Sequence, residues 1–152
     1  MAECKNIMVY VETAEGNPVK VGLEMLSPAK KLADKVTAVV IGGGVADAAK
    51  EVAKAGADQV ICVDSEDYKE FNLDAYAQVL VELVKEENPE AVFVGGTQDG
   101  KGIAPVVAAK CNTGCASDVL DIKAEDGEVI YTCPLYGGTV LEDVKIKTTP
   151  QI

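Results

Sequence analysis

Apolar and polar positions in this chain switch between two periods, which predicts strands and helices in turn. Residues 6–13 (NIMVYVET) form a nearly continuous apolar run, the pattern of a strand buried on both faces. Over 21–34, Val21, Met25, Ala29 and Leu32 recur at helical spacing. Pro28 falls inside that stretch, so a kink or a restart is expected there, with Ser27 capping a second segment. A second strand over 36–41 runs into Gly42-Gly43-Gly44, and a short helix over 46–55 stops at Gly56, the residue type favoured just past a helix end. Residues 59–63 predict a third strand, and Asp64 starts the loop after it. Asn72 stands at the N-cap of a helix reaching Glu87, with Leu73, Tyr76, Ala77, Leu80, Leu83 and Val84 as its apolar stripe. Asn88-Pro89 ends that helix, and 91–94 is a fourth strand.

A glycine-rich loop follows, Gly95-Gly96-Thr97-Gln98-Asp99-Gly100-Lys101-Gly102, and then a helix over 102–111 with Pro105 near its start. Such alternation implies a parallel sheet with helices on both faces. After Gly114 the texture changes. Residues 119–123 and 128–133 flank an Asp126-Gly127 turn as a β-hairpin, 136–139 is a second turn region, and Val144 and Ile146 alternate with Lys145 and Lys147 in a final strand. This is an antiparallel addition to the same domain, so residues 1–152 are expected to form a single unit, without internal repeats.

With 152 residues, 48% of them apolar and 26% charged, the chain is a globular domain with room for a core. A formal net charge of -11 repels phosphodiester backbones and anionic membranes, which argues against a nucleic-acid partner. No apolar run reaches the length of a membrane span, and the N-terminus lacks a signal pattern, so a soluble, cytoplasmic protein is expected. The five cysteines (Cys4, Cys62, Cys111, Cys115, Cys133) include a C-x3-C pair that is neither the redox C-x2-C nor half of a zinc ribbon. They read as structural thiols, Cys62 as a small hydrophobe within a strand. With no histidine in the chain, no metal site is expected, and the usual general base for a Ser or Cys nucleophile is missing. The acidic residues scatter over faces and loops without forming a triad, so no catalytic residue is assigned.

Candidate binding chemistry concentrates in the glycine-rich loop. Gly95-x4-Gly100-Lys101 is the core of a P-loop, but Gly102 stands where a Ser or Thr would ligate magnesium, and the motif follows the fourth strand instead of the first. Gly42-x-Gly44 begins a dinucleotide fingerprint that breaks at Asp47. The candidate cofactor-binding residues are therefore Gly95, Thr97, Gly100 and Lys101, as a vestigial nucleotide loop.

Gly95-x-Thr97-x-x-Gly100-Lys101-x-Ile103-Ala104-Pro105-x-Val107-Ala108 closely resembles the signature of the electron-transfer flavoprotein alpha subunit, in its N-terminal domain. The resemblance covers the whole chain: Glu12 closing the first strand, Ala29 to Asp34, Ala55-Gly56-Ala57-Asp58-Gln59-Val60, Pro89, Ser117-Asp118, and Pro134-x-Tyr136-Gly137-Gly138. It departs at Cys133, where the family usually has arginine, and at Thr139, where it usually has asparagine. The resemblance implies a three-layer α/β sandwich with a mostly parallel sheet, adenine-nucleotide-hydrolase-like and akin to universal stress proteins. It implies a non-catalytic scaffold domain of a heterodimer that carries electrons from flavin dehydrogenases to an acceptor. FAD would sit on a C-terminal domain absent from this chain, and the beta subunit would be the partner. No cofactor is expected on residues 1–152, and self-association is expected through surface that partners would cover. The alternative is a stand-alone universal-stress-protein-like module binding AMP or ATP at residues 95–102; a small hydrolase or transferase on the same fold is a more remote third.

Overall fold

The computed structural model describes residues 4–152. In chain order its elements are β1 (Cys4–Tyr10), β2 (Thr13–Ala14), β3 (Asn17–Pro18), α1 (Lys20–Leu32), β4 (Ala33–Gly42), α2 (Ala46–Lys54) and β5 (Gln59–Asp64). There follow α3 (Leu73–Glu87), β6 (Ala91–Val94), α4 (Gln98–Lys110), β7 (Asp121–Glu125), β8 (Glu128–Leu135) and β9 (Val140–Val144). Single 3-10 turns lie at Glu66–Tyr68 and Tyr136–Gly138. The architecture is the expected three-layer α/β arrangement. A parallel sheet of order β5-β4-β1-β6 forms the middle layer, and a separate antiparallel sheet of order β7-β8-β9 is added by the C-terminal third.

Both central strands are buried on two faces, which is why they read as continuous apolar runs. In β1, Ile7 and Val9 enter one core while Met8 and Tyr10 enter the other. In β4, Val36, Ala38 and Val40 alternate in the same way with Val39 and Ile41. α1 and α2 close the first core through Leu26, Ala29, Leu32, Ala48 and Val52. α3 and α4 close the second through Tyr76, Leu80, Val84, Ile103 and Val107. β8 turns Val129, Tyr131 and Cys133 toward the first core, so the antiparallel sheet shares that core with the main sheet. Gln151 pairs in parallel beside Ala91, and Val92 N–H donates to its carbonyl at 2.8 Å, so backbone covers the open edge of β6.

Several local expectations are corrected. Pro28 neither kinks α1 into two segments nor gives Ser27 a capping role; one helix spans Lys20–Leu32. Leu26 and Ala29 are buried on either side of the proline, and their packing holds the helix through the lost i→i−4 bond. α4 begins at Gln98, a turn before the predicted start, which puts Gly100, Gly102 and Pro105 inside it. The apolar stripe of α3 is rotated: Val81 is buried, Leu83 is partly covered, and Leu73 is exposed. The last strand is Val140–Val144, not the stretch around Val144 and Ile146. Ile146 leaves the strand to pack against the first core, while Lys145 pairs with Glu128. Cys62 is exposed on β5, the strand at one end of the sheet, so it is not the core hydrophobe its pattern implied. Cys62, Cys111, Cys115 and Cys133 are free thiols. No helix among them is long and apolar enough to cross a membrane.

Candidate functional site

The chain runs β1, β4, β5 in one direction across the sheet and then crosses back to β6 on the far side of β1. Sequence order therefore reverses between β1 and β6, and a crevice at the C-terminal ends of two such strands is where open α/β sheets usually receive ligands. The glycine-rich loop leaves β6 at that point, and Glu12 leaves β1 beside it.

The protein's own groups close the crevice. Thr97 is the N-cap of α4, and its Oγ1 accepts from Gly100 N–H at 2.9 Å. The same hydroxyl donates to Glu12 Oε1 at 2.5 Å, bridging the two strand ends. Lys101 N–H is used by the Thr97 carbonyl at 2.9 Å. Of the N–H groups that would face a phosphate at a helix start, Gly100's is taken by the cap, whereas Lys101's makes the first regular helical bond; the Glu12 carboxylate lies beside them. Gly100 comes so close to Gly95 that a Cβ on it would lie 1.9 Å from the Gly95 carbonyl oxygen and 3.0 Å from Glu12 Oε1. Lys101 turns away from the loop to pair with Asp118 at 2.5 Å, both side chains about half exposed. The structure places Gly95, Thr97 and Gly100 together as a brace between β1, β6 and α4, and directs Lys101 away from it to Asp118.

Glu12 was legible only as the end of a strand; its partner across 85 positions of chain could not be read from local pattern. Burial holds its carboxyl above the usual glutamate range, Thr97's hydrogen bond pulls the other way, and Asp99 adds repulsion. The sign follows directly. A carboxyl with a raised folded-state pKa binds its proton more tightly in the folded state, so its charge destabilises the fold as pH rises through that pKa. Glu12→Gln keeps an acceptor for Thr97 and removes the charge. Relative to wild type it is expected to gain stability at pH 7 and to lose that gain below about pH 4.3, the unperturbed value. Urea titrations of both proteins at the two pH values check this, and a difference independent of pH would refute the assignment.

Beside the brace, a cavity of about 440 Å³ opens over the ends of β1 and β4. Glu12, Glu15 and Asp99 line it against one cation, Lys69. Gly42 and Gly43 line it as well; the next residue's N–H, that of Gly44, donates to Asp64 at 2.7 Å, which ties the glycine turn to β5. A larger groove of about 630 Å³ lies on the other side of the loop, between α1 and the segment from Ala116 to Ile122, with mostly apolar walls that include Met25, Phe93 and Leu120. Among the described residues no group of three acidic or thiol side chains is placed to hold a metal ion.

Residues 7–152 match the family model described as the electron transfer flavoprotein domain. The chain is 37% identical over 142 residues to the electron transfer flavoprotein subunit alpha of Syntrophomonas wolfei, an alignment covering 93% of this chain and 45% of that protein. It is 35% identical over 150 residues to protein FixB of Clostridium saccharobutylicum, covering 95% and 45%. It is 31% identical over 151 residues to the lactate dehydrogenase (NAD(+),ferredoxin) subunit LctC of Acetobacterium woodii, covering 95% and 36%. The chain spans less than half the length of these relatives.

Proposed function

The chain belongs to the electron transfer flavoprotein family, and on that premise we propose that it acts as the N-terminal scaffold domain of an alpha subunit, without catalytic groups of its own. In this reading the parent protein pairs with a beta subunit and carries electrons from flavin dehydrogenases to an acceptor. FAD belongs to the part of the relatives' length that this chain does not cover.

The observation that carries the scaffold role is the Glu12–Thr97 hydrogen bond across the crevice where the strand order reverses. It uses the helix cap and sets a carboxylate beside the helix start, where a phosphate would be repelled. The residues present do not fit a dinucleotide or a nucleotide phosphate: three carboxylates against one ammonium line the adjoining cavity, and Lys101 is engaged with Asp118. Each phosphate would meet repulsion in a partly buried setting, where charges are poorly screened.

Isothermal titration with AMP, ATP and FAD tests the reading. No heat of binding is expected with any of the three, and the purified chain is expected to be colourless. Micromolar binding of AMP or ATP would overturn the scaffold role in favour of a stand-alone nucleotide module. Co-expression with an electron transfer flavoprotein beta subunit is expected to give a stoichiometric complex on size exclusion.

A further inference from the structure

We propose that the free end of the antiparallel sheet, around Tyr136, Val140 and Leu141, docks a protein partner whose contact face is an apolar hollow rimmed by lysine and arginine. On the subunit reading above, on which this inference rests, that partner is the beta subunit. Four of the six large apolar side chains exposed among the described residues belong to this end: Leu120 at 66%, Tyr136 at 85%, Val140 and Leu141. Leu135 pairs with Val140 and Pro134 with Leu141. Consecutive strand residues point to opposite faces, so Val140 and Leu141 leave the sheet bare on both sides. Leu120 and Pro134 also line the apolar groove beside α1, and the patch runs on into it. The other half of the same sheet buries Val129, Tyr131 and Cys133 in the first core. The free end overhangs that core, and contiguous apolar surface of this kind marks an interaction site.

The backbone bends to present the tyrosine. Tyr136, Gly137 and Gly138 take φ of 49°, 66° and 89° in succession. The glycines adopt the left-handed region freely, but a bulky residue does so only at a conformational cost. Nothing inside the chain repays that cost through the side chain, since neither aromatic contact among the described residues involves Tyr136. Strain of this sort is kept where a residue serves binding, and an exposed tyrosine is among the residue types that most often anchor an interface.

Charge decides the occupant. Lys101, Lys123 and Lys145 are held by Asp118, Asp143 and Glu128. Asp121, on the groove wall, and Glu142, opposite Cys133, take part in no ion pair among the described residues. The patch is therefore apolar surface flanked by free negative charge. A second copy would bring the same acids and its own net charge of -11 against it, which disfavours this surface as a contact between two copies. A partner face that is apolar at its centre and basic at its rim is complementary.

The test is the affinity of the 152-residue chain for an electron transfer flavoprotein beta subunit, with amide hydrogen exchange of the complex. Exchange is expected to slow over residues 134–144. Tyr136→Gly relieves the left-handed backbone, so Tm should hold or rise while the complex weakens about thirtyfold, the scale of an aromatic anchor. Leu141→Asp should weaken it at least about tenfold. Asp121→Lys combined with Glu142→Lys should weaken it about tenfold at low salt and less at roughly 0.5 M salt. Leu73→Ala, an exposed leucine outside the patch, should leave the affinity unchanged. A wild-type complex that Tyr136→Gly and Leu141→Asp leave intact would overturn this inference and leave the subunit reading standing. No complex with the wild-type chain would overturn the subunit reading, and this inference with it.

Discussion

Gly100→Ala is expected to cost about 3 kcal/mol or more, while Gly102→Ala, two positions along the same helix, is expected to stabilise the fold by up to about 1 kcal/mol. Helix propensity alone predicts a gain at both. At Gly102 nothing opposes it, because the nearest atom a new Cβ would meet is the end of the Leu73 side chain at 3.4 Å, an ordinary contact. At Gly100 the new Cβ would sit 1.9 Å from the carbonyl oxygen of Gly95, a backbone atom that cannot swing aside. α4 would have to lift off β6, breaking the Thr97 cap and the bond to Glu12 together. For a chain of this size the loss corresponds to a fall in Tm of roughly 10 °C. Thermal melts by circular dichroism decide the matter, and a Gly100→Ala protein within about 1 kcal/mol of wild type would contradict the brace described here.

Leu80→Ala is expected to cost about 2–5 kcal/mol, and Leu73→Ala on the same helix less than about 1 kcal/mol. Both residues belong to one apolar stripe when α3 is read from its sequence. In the structure Leu80 is fully buried in the second core beside Met8, Ile41 and Ile103, and removing its branch leaves a cavity there. Leu73 is 36% exposed at the first turn, so its truncation opens a space that solvent reaches and leaves no closed cavity. Denaturant unfolding of the two variants gives the comparison. Equal losses would mean that the first turn of α3 is covered by contacts other than those described.

Much of the fold was legible because its elements obey short-range rules. The double-sided burial of β1 and β4 appears as unbroken apolar runs. α3 starts and stops where its chemistry says it should: Asn72 Oδ1 accepts from Ala75 N–H at 3.0 Å, and Asn88 takes the left-handed conformation at φ 47° that asparagine tolerates. Gly56, at φ 113°, ends the α2 region as its position implied. The failures share a cause. Pro28 and the glycines of α4 are poor helix residues by local preference, and in both places burial against the sheet overrides that preference. β9 was misplaced because alternation marks a strand but does not say which residues of β8 it will meet.

At the site, the sequence identified the loop from Gly95 to Lys101 and the family signature that runs through it, since both reside in consecutive residues. It could not show that Thr97 would reach Glu12 or that Lys101 would turn to Asp118. The apolar pattern and the turn chemistry determined by themselves that this chain is an α/β domain with a glycine loop after its fourth parallel strand. Only the tertiary structure decided that the loop is a brace beside an acidic pocket. The groups that make it so lie up to 85 positions apart and meet only because parallel strands end side by side at the same edge of the sheet.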